Sequence, residues 1–292
     1  MIGIDWGTSS ARAYRLDPDG TVRERREGAG GILHVAPGGF PDALRAMAGD
    51  WIAAGERRIL LSGMVGSRQG WQEAPYLPCP AGLGDLALGV VPIPFEGAEL
   101  RLVPGLSAHD AAGIPEVMRG EEVQVFGGLD GAQDALVCLP GSHAKWVRVE
   151  GGRIAGFTTS LTGEAFAALR GHTILARMIE GEAAPGAAFD DGVARARDPG
   201  GLLHHLFGAR ALALFGRLAP ADGAGYLSGL LIGHEVAASL PPGAGPVHLV
   251  GSGPLMALYG RAIALAGAEA VAGDADAAAK GLARIGERIA WA

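Results

Sequence analysis

The chain has 292 residues, 49% of them hydrophobic and 19% charged, with a formal net charge of −7 at pH 7. That length fits about two domains and the apolar content supplies a sizeable core, while the negative balance argues against a nucleic-acid partner, which needs a basic face. Two cysteines, Cys79 and Cys138, are too few for a disulfide framework, and the 49 glycines are dispersed without a period, so neither collagen nor disorder is indicated.

Residues 2–16 read as a hairpin: a short apolar run ending in Asp5, a turn Gly7-Thr8-Ser9-Ser10, then an alternating strand from Arg12 to Leu16. Because Asp5 comes at once, the start lacks the basic and apolar regions of a secretion signal. No uncharged apolar run approaches the ~20 residues that span a bilayer, so a cytoplasmic protein without a membrane partner is expected. Gly7 lets backbone approach a ligand, and the N–H groups of such a turn can cradle an anion. Thr8 and Ser9 add hydroxyl donors, and Asp5 can hold Mg²⁺ through water. A plain surface turn made of the same residues is the alternative.

Residues 41–54 have helical apolar spacing at Leu44, Met47 and Trp51. Arg58 to Ser62 reads as a buried strand running into the loop Gly63-Met64-Val65-Gly66-Ser67-Arg68, at a strand end where α/β folds place ligand loops. A Pro- and Gly-rich stretch from 72 to 107 follows, and the domain boundary is expected at its end. Met118-Arg119-Gly120-Glu121-Glu122 then opens a helix; the helix dipole favours two carboxylates there, so capping alone can explain them.

Residues 135–149 partly echo the first hairpin: an apolar run, the turn Pro140-Gly141-Ser142-His143, then a strand from Lys145 to Val149. Each copy is followed by an acid-glycine turn and a third strand, at Thr21 to Arg25 and Arg153 to Thr159, which suggests two related half-molecules facing each other. Thr162-Gly163-Glu164 leads through a loop into a helix, 181–201 reads as a polar surface excursion, and 221–238 reads as a helix. The pair His204-His205 lacks a third metal ligand nearby. Val247 to Pro254 reads strand, glycine turn, helix; Met256 occupies the third glycine position of a dinucleotide fingerprint and so excludes that motif. An Ala-rich helix closes the chain. The sequence has no P-loop, no G-x-S-x-G elbow, and Ala238 breaks the H-E-x-x-H pattern begun at His234.

Asp5-Trp6-Gly7-Thr8-Ser9-Ser10 resembles the first phosphate motif of the sugar kinase, Hsp70 and actin superfamily, and Pro140-Gly141-Ser142-His143-Ala144-Lys145-Trp146 resembles the second. Within it the whole chain resembles the 2-dehydro-3-deoxygalactonokinase family, through Gly63 to Ser67, Met118 to Glu122, Leu139 to Trp146, Thr162 to Glu164 and Leu227 to Gly233. The resemblance implies an α/β fold of two ribonuclease-H-like domains facing each other across an ATP cleft, here 1–107 and 108–292, with the terminal helix packing back on the first.

It further implies ATP and Mg²⁺ as cofactors and phosphorylation of 2-dehydro-3-deoxy-D-galactonate at its 6-hydroxyl. A kinase for a related sugar acid such as 2-dehydro-3-deoxygluconate and a non-metabolic ATP-binding switch are the alternatives. Gly7, Thr8, Ser9, Gly141, Ser142, His143 and Lys145 would bind the ATP phosphates, Gly251, Ser252 and Gly253 the adenosine, and Asp5 the Mg²⁺. Sugar kinases take their catalytic base from a Gly-Asp-Gln stretch; here Glu121 stands at the Asp, and a spacing one residue shorter leaves Glu121 and Glu122 open. By motif position Gly66, Ser67 and Glu122 would contact the sugar acid, and Arg12, Arg68 and Arg119 are candidates for its carboxylate. A homodimer is the assembly considered.

Overall fold

The computed structural model of the chain describes residues 1–28, 30–129 and 134–292. They form two compact units: Met1–Asp134 with Arg148–Phe157 and Asp274–Ala292, and Ala135–Val147 with Thr158–Gly273.

The first unit begins with β1 (Ile2–Trp6), β2 (Ala11–Leu16), β3 (Val22–Gly28), α1 (Phe40–Ala53) and β4 (Arg58–Ser62). It continues through β5 (Tyr76–Pro78), α2 (Leu83–Leu88), β6 (Val91–Ile93), β7 (Glu99–Leu102), β8 (Gly105–His109), β9 (Pro115–Met118) and α3 (Glu121–Gly128). Its main sheet has the order β3-β2-β1-β4-β7-β6, and a small sheet has the order β5-β8-β9. β1, β4 and β7 are parallel neighbours. Such strands are covered on both faces, which is why they read as near-continuous apolar runs. Ile2, Ile4, Trp6, Ile59 and Leu61 pack with Leu44, Ala48 and Trp51 from the inner face of α1.

The second unit holds β10 (Ala135–Leu139), β11 (Ala144–Glu150), β12 (Arg153–Ser160), α4 (Thr162–His172), α5 (Ala187–Arg195), α6 (Gly201–Leu214) and α7 (Pro220–Ser239). β13 (Val247–Leu249), α8 (Pro254–Leu265) and β14 (Ala270–Ala272) complete it, and α9 (Ala277–Gly286) returns to the first unit. The sheet order β12-β11-β10-β13-β14 repeats the chain order of β3-β2-β1-β4-β7, so the echo between residues 2–28 and 135–160 is a repeat of topology. Residues 148–157, the turn end of the β11–β12 hairpin, count with the first unit. Cys138, Trp146, Phe189, Val236, Leu249 and Tyr259 form the core here.

The structure departs from the sequence reading in three places, the first being that α4 begins at Thr162 itself, with no loop before it. The boundary expected at residue 107 lies inside the first unit, because α3 packs there against α9. A Cβ on Gly127 would fall 1.8 Å from the Ala277 carbonyl oxygen and one on Gly281 1.9 Å from that of Val123, so the two helices touch backbone to backbone. A partner so far downstream leaves no local signal. The stretch 181–201 is not a plain surface excursion but carries α5, whose Phe189 is fully buried against α7. Its acids and glycines look polar, yet a Cβ on Gly192 would sit 2.3 Å from the Tyr226 carbonyl oxygen, so glycine is what lets the helix dock. No helix among the described residues is long and apolar enough to cross a membrane.

Candidate active site

In the first unit three chain segments converge on the Asp5 carboxylate. Asp5 lies opposite Arg12 of β2 and beside Ser62 of β4. Gly63 follows β4 with φ +92°, and a Cβ there would be 2.8 Å from the Trp6 carbonyl oxygen and 3.3 Å from Asp5 Oδ1. Gly120 precedes α3 with φ +104°, and its Cβ would lie 3.0 Å from Gly63 Cα. Only glycine combines that backbone with that proximity. Gln124, one turn into α3, donates from Nε2 to Asp5 Oδ2 at 3.4 Å. Burial pushes Asp5 up to about 6, and the Glu121 carboxylate adds to this, while Arg12 and Gln124 oppose it. A carboxylate strained in this way fits a cation, whose charge would reverse the shift.

The adjacent acids of α3 have different surroundings. Glu122 is fully buried, and both of its oxygens accept the Gly120 N–H, at 2.8 and 2.9 Å. Burial, reinforced by Glu121, pushes it up to about 8. Glu121 is only partly buried, and its Oε2 accepts the Arg119 N–H at 3.0 Å. Glu122 is thus a capping group and Glu121 the accessible carboxylate.

A pH experiment follows from this. The folded state holds the Glu122 proton more tightly than an unfolded chain, whose glutamate titrates near 4.5. Stability from this group is complete below that value and is lost as pH rises toward 8, with a slope of up to roughly 1.4 kcal/mol per pH unit. Glu122→Gln removes that slope. Urea melts at pH 5, 6.5 and 8 should show the variant gaining on the wild type as pH rises; a constant difference would mean that Glu122 takes up no proton on folding.

The three candidate arginines also separate. Arg68 is exposed and paired with Glu73 at 3.0 Å. Arg12 is about a third exposed and lies 3.6 Å from Glu27. Arg119 is buried, its guanidinium 4.3 Å over the Tyr76 ring, with Nη2 donating to the Ala74 carbonyl at 2.8 Å. A Cβ on Gly66 would meet Arg119 Nη1 at 2.9 Å, so the loop that carries Ser67 lies against this guanidinium.

The turn at Gly7-Thr8-Ser9 is exposed at Thr8 and Ser9. The carbonyls of Gly7, Thr8 and Ser9 accept N–H groups of Ile32, Leu33 and Gly31 at 3.0 to 3.3 Å. Among the described residues the Thr8 and Ser9 N–H groups donate to no backbone carbonyl, which is the arrangement an anion cradle needs.

The second unit repeats the pattern. Gly141, Ser142 and His143 form the turn between β10 and β11, and among the described residues their N–H groups have no backbone acceptor. Lys145 is buried, with Nζ donating to the His143 carbonyl at 3.0 Å. Since β10 and β13 run parallel, the turn Gly251-Ser252-Gly253 emerges at the same edge. A Cβ on Gly251 would lie 3.8 Å from Pro140 Cδ, and Pro254 then opens α8. A cavity of about 270 Å³ beside this edge is lined by Gly141, Ser142, Gly163, Phe166, Pro254 and Leu255, among others. The larger cavity of about 1010 Å³, between α5, α6 and α7, holds none of the candidate residues.

The family model described as DGOK, 2-keto-3-deoxy-galactonokinase, matches residues 5–285. The chain belongs to this family. It is 40% identical to the probable 2-dehydro-3-deoxygalactonokinase DgoK1 of Rhizobium meliloti, over 99% of this chain and 96% of that one. It is 34% identical to the 2-dehydro-3-deoxygalactonokinase of Escherichia coli, over 94% of this chain and 93% of that one. The crystal structure of a "putative 2-dehydro-3-deoxygalactonokinase protein" from Sinorhizobium meliloti superposes with a TM-score of 0.90 at 39% identity, covering 99% and 96% of the two chains. The repeated sheets and these likenesses make the fold that of the two-domain sugar kinases.

Several contacts of the candidate site are not legible in the sequence. Gln124, Gly63 and Gly120 at Asp5 are contacts between distant segments. Gly163 presses on the Gly141–Ser142 turn, and the Glu164 carboxylate meets His143 Nε2. The Thr162-Gly163-Glu164 signature was legible, but not its task.

Proposed function

We propose that the protein is a kinase that transfers the terminal phosphoryl group of ATP to the 6-hydroxyl of 2-dehydro-3-deoxy-D-galactonate. The observation that carries this is the family match along residues 5–285, with relatives named for that activity aligned over nearly their full lengths. Phosphoryl transfer asks a protein for positioning, charge neutralisation and a proton acceptor. When bound, ATP with Mg²⁺ supplies the phosphoryl group and part of the counter-charge.

The chain's own residues supply the rest. The N–H groups and hydroxyls at Gly7, Thr8 and Ser9, and those at Gly141, Ser142 and His143, would bind phosphate oxygens, with Lys145 adding charge. Gly251, Ser252 and Gly253 would admit the adenosine, and Asp5 would hold Mg²⁺ through water. Glu121 accepts the proton of the acceptor hydroxyl as its oxygen attacks. A kinase drawing on ATP would work in the cytoplasm.

ADP release with Mg²⁺-ATP tests the reading across 2-dehydro-3-deoxygalactonate, its gluconate epimer, galactonate, glycerol and no acceptor. Stimulation by the first compound alone is expected. Stimulation by several acids would keep the enzyme class and discard the narrow substrate. An ATP-binding protein stimulated by none would be a switch rather than a kinase.

A further inference from the structure

Arg119 holds buried hydrogen-bond donors that the protein leaves unused. It follows β9 with only 7% of its surface exposed. One guanidinium nitrogen, Nη2, donates to the Ala74 carbonyl, and the plane rests on Tyr76. Among the described residues Nε and Nη1 are buried without a hydrogen-bond partner, and so is the Oγ of Ser67. Ser67 directly follows Gly66, whose missing side chain is what lets Nη1 lie against this loop.

The guanidinium is a planar cation with five donors, and here it is buried. Glu122 acts on it electrostatically, but that carboxylate is committed to the Gly120 N–H and burial favours its neutral form. Buried donors are normally bonded, and a buried charge left unpaired is strongly unfavourable. Two vacant donor nitrogens and a vacant hydroxyl on neighbouring segments therefore describe a receptor for an anionic oxygen group. Arg68 and Arg12 already face Glu73 and Glu27 in or near solvent.

We infer that Arg119 and Ser67 bind the carboxylate of the acceptor, and so select sugar acids over neutral sugars. This assignment rests on the proposed kinase reading for the identity of the acceptor, and on the first unit's own geometry for the site. Its opposite end, the hydroxyl that reacts, would then be presented to Glu121, which follows Arg119 by two positions at the start of α3.

The test measures binding and turnover separately. Ligand-induced shifts in Tm are recorded for wild type, Arg119→Gln, Arg119→Lys, Ser67→Ala and Arg68→Ala. The probes are 2-dehydro-3-deoxygalactonate and its neutral 1-carboxamide. The wild type should bind the acid far better than the amide. Arg119→Gln should weaken acid binding by roughly 30- to 1,000-fold and leave amide binding unchanged. Ser67→Ala should weaken acid binding by roughly 3- to 15-fold, and Arg68→Ala should leave it intact.

Equal binding of acid and amide by the wild type, no binding of either, retention of acid binding in Arg119→Gln, or its loss in Arg68→Ala would each overturn the inference. If Arg119→Gln fails to melt cooperatively, Arg119→Lys decides: a selective loss of acid binding supports the pocket, and an equal loss of both probes overturns it. Arg119-dependent acid binding without acid-stimulated ADP release would leave the pocket standing and remove the kinase reading. Turnover of the acid by Arg119→Gln at unchanged KM would do the reverse.

Discussion

Replacing Glu121 by glutamine is expected to lower kcat by roughly 10²–10⁴-fold. ATP affinity should stay within about threefold, since the change removes a proton acceptor and not a binding group. Two structural facts single out this acid. Its side chain is only partly buried, whereas that of Glu122 is fully enclosed and spends both oxygens on the Gly120 N–H. Its charge also acts directly on Asp5, the proposed Mg²⁺ ligand, so it lies at the carboxylate where three segments meet. Glutamine preserves the acceptor for the Arg119 N–H, which keeps the helix start in place. Single-turnover measurement of ADP formation separates the chemical step from product release. The matched control is Glu122→Gln, which should retain kcat within a few-fold. If the control loses turnover and Glu121→Gln keeps it, the two roles are exchanged.

The local structure of this candidate site was readable from residues alone because each half is one short segment. Asp5 to Ser9 and Gly141 to Lys145 are short strand–turn–strand units, in which period-two alternation and turn chemistry carry the information. The repeated sheet order follows from the same local pattern. What could not be read depends on contacts between distant segments. Gln124 reaches Asp5 across 119 positions, and α3 finds α9 across some 150 through glycines that carry no partner label. The order of the arginines is likewise invisible in sequence, where Arg12, Arg68 and Arg119 all sit in plausible motifs. Burial separates them: Arg68 is 87% exposed, and Arg119 is 7% exposed with vacant donors. The acid pair is similar, because adjacent glutamates on a helix start look equivalent until one of them turns back to cap the Gly120 N–H.

The second large effect is expected at Gly163, in the other unit. A Cβ there would fall 2.5 Å from the Gly141 carbonyl oxygen and 2.8 Å from Ser142 Cα, both backbone atoms of the proposed phosphate turn. Either α4 or the turn must yield in Gly163→Ala. The start of α4 is braced on its other side: Thr162 shares a hydrogen bond with the buried Glu235, which also accepts Trp146 Nε1 at 2.8 Å and the Tyr259 hydroxyl at 2.7 Å. Moving α4 would break a buried network that joins β11, α7 and α8, so the exposed turn is the softer side. The Glu164 N–H, which donates to the Ser142 carbonyl at 3.0 Å, would transmit the displacement. Misplacing a reacting group by about 1 Å can lower the rate ~10²-fold, and overpacking of this kind typically costs about 1–3 kcal/mol of stability. Gly163→Ala should therefore weaken binding of a non-hydrolysable ATP analogue by roughly 10- to 100-fold, a share of that same positional effect. Its acid-induced Tm shift should be that of the wild type, because the acid's carboxylate is assigned to the first unit. Calorimetric Kd values for the analogue and melting curves with the acid check the two halves independently. Wild-type affinity for the analogue together with a lowered Tm would mean that α4 gives way and the turn stays, and the brace at Glu235 would then be weaker than its three hydrogen bonds suggest.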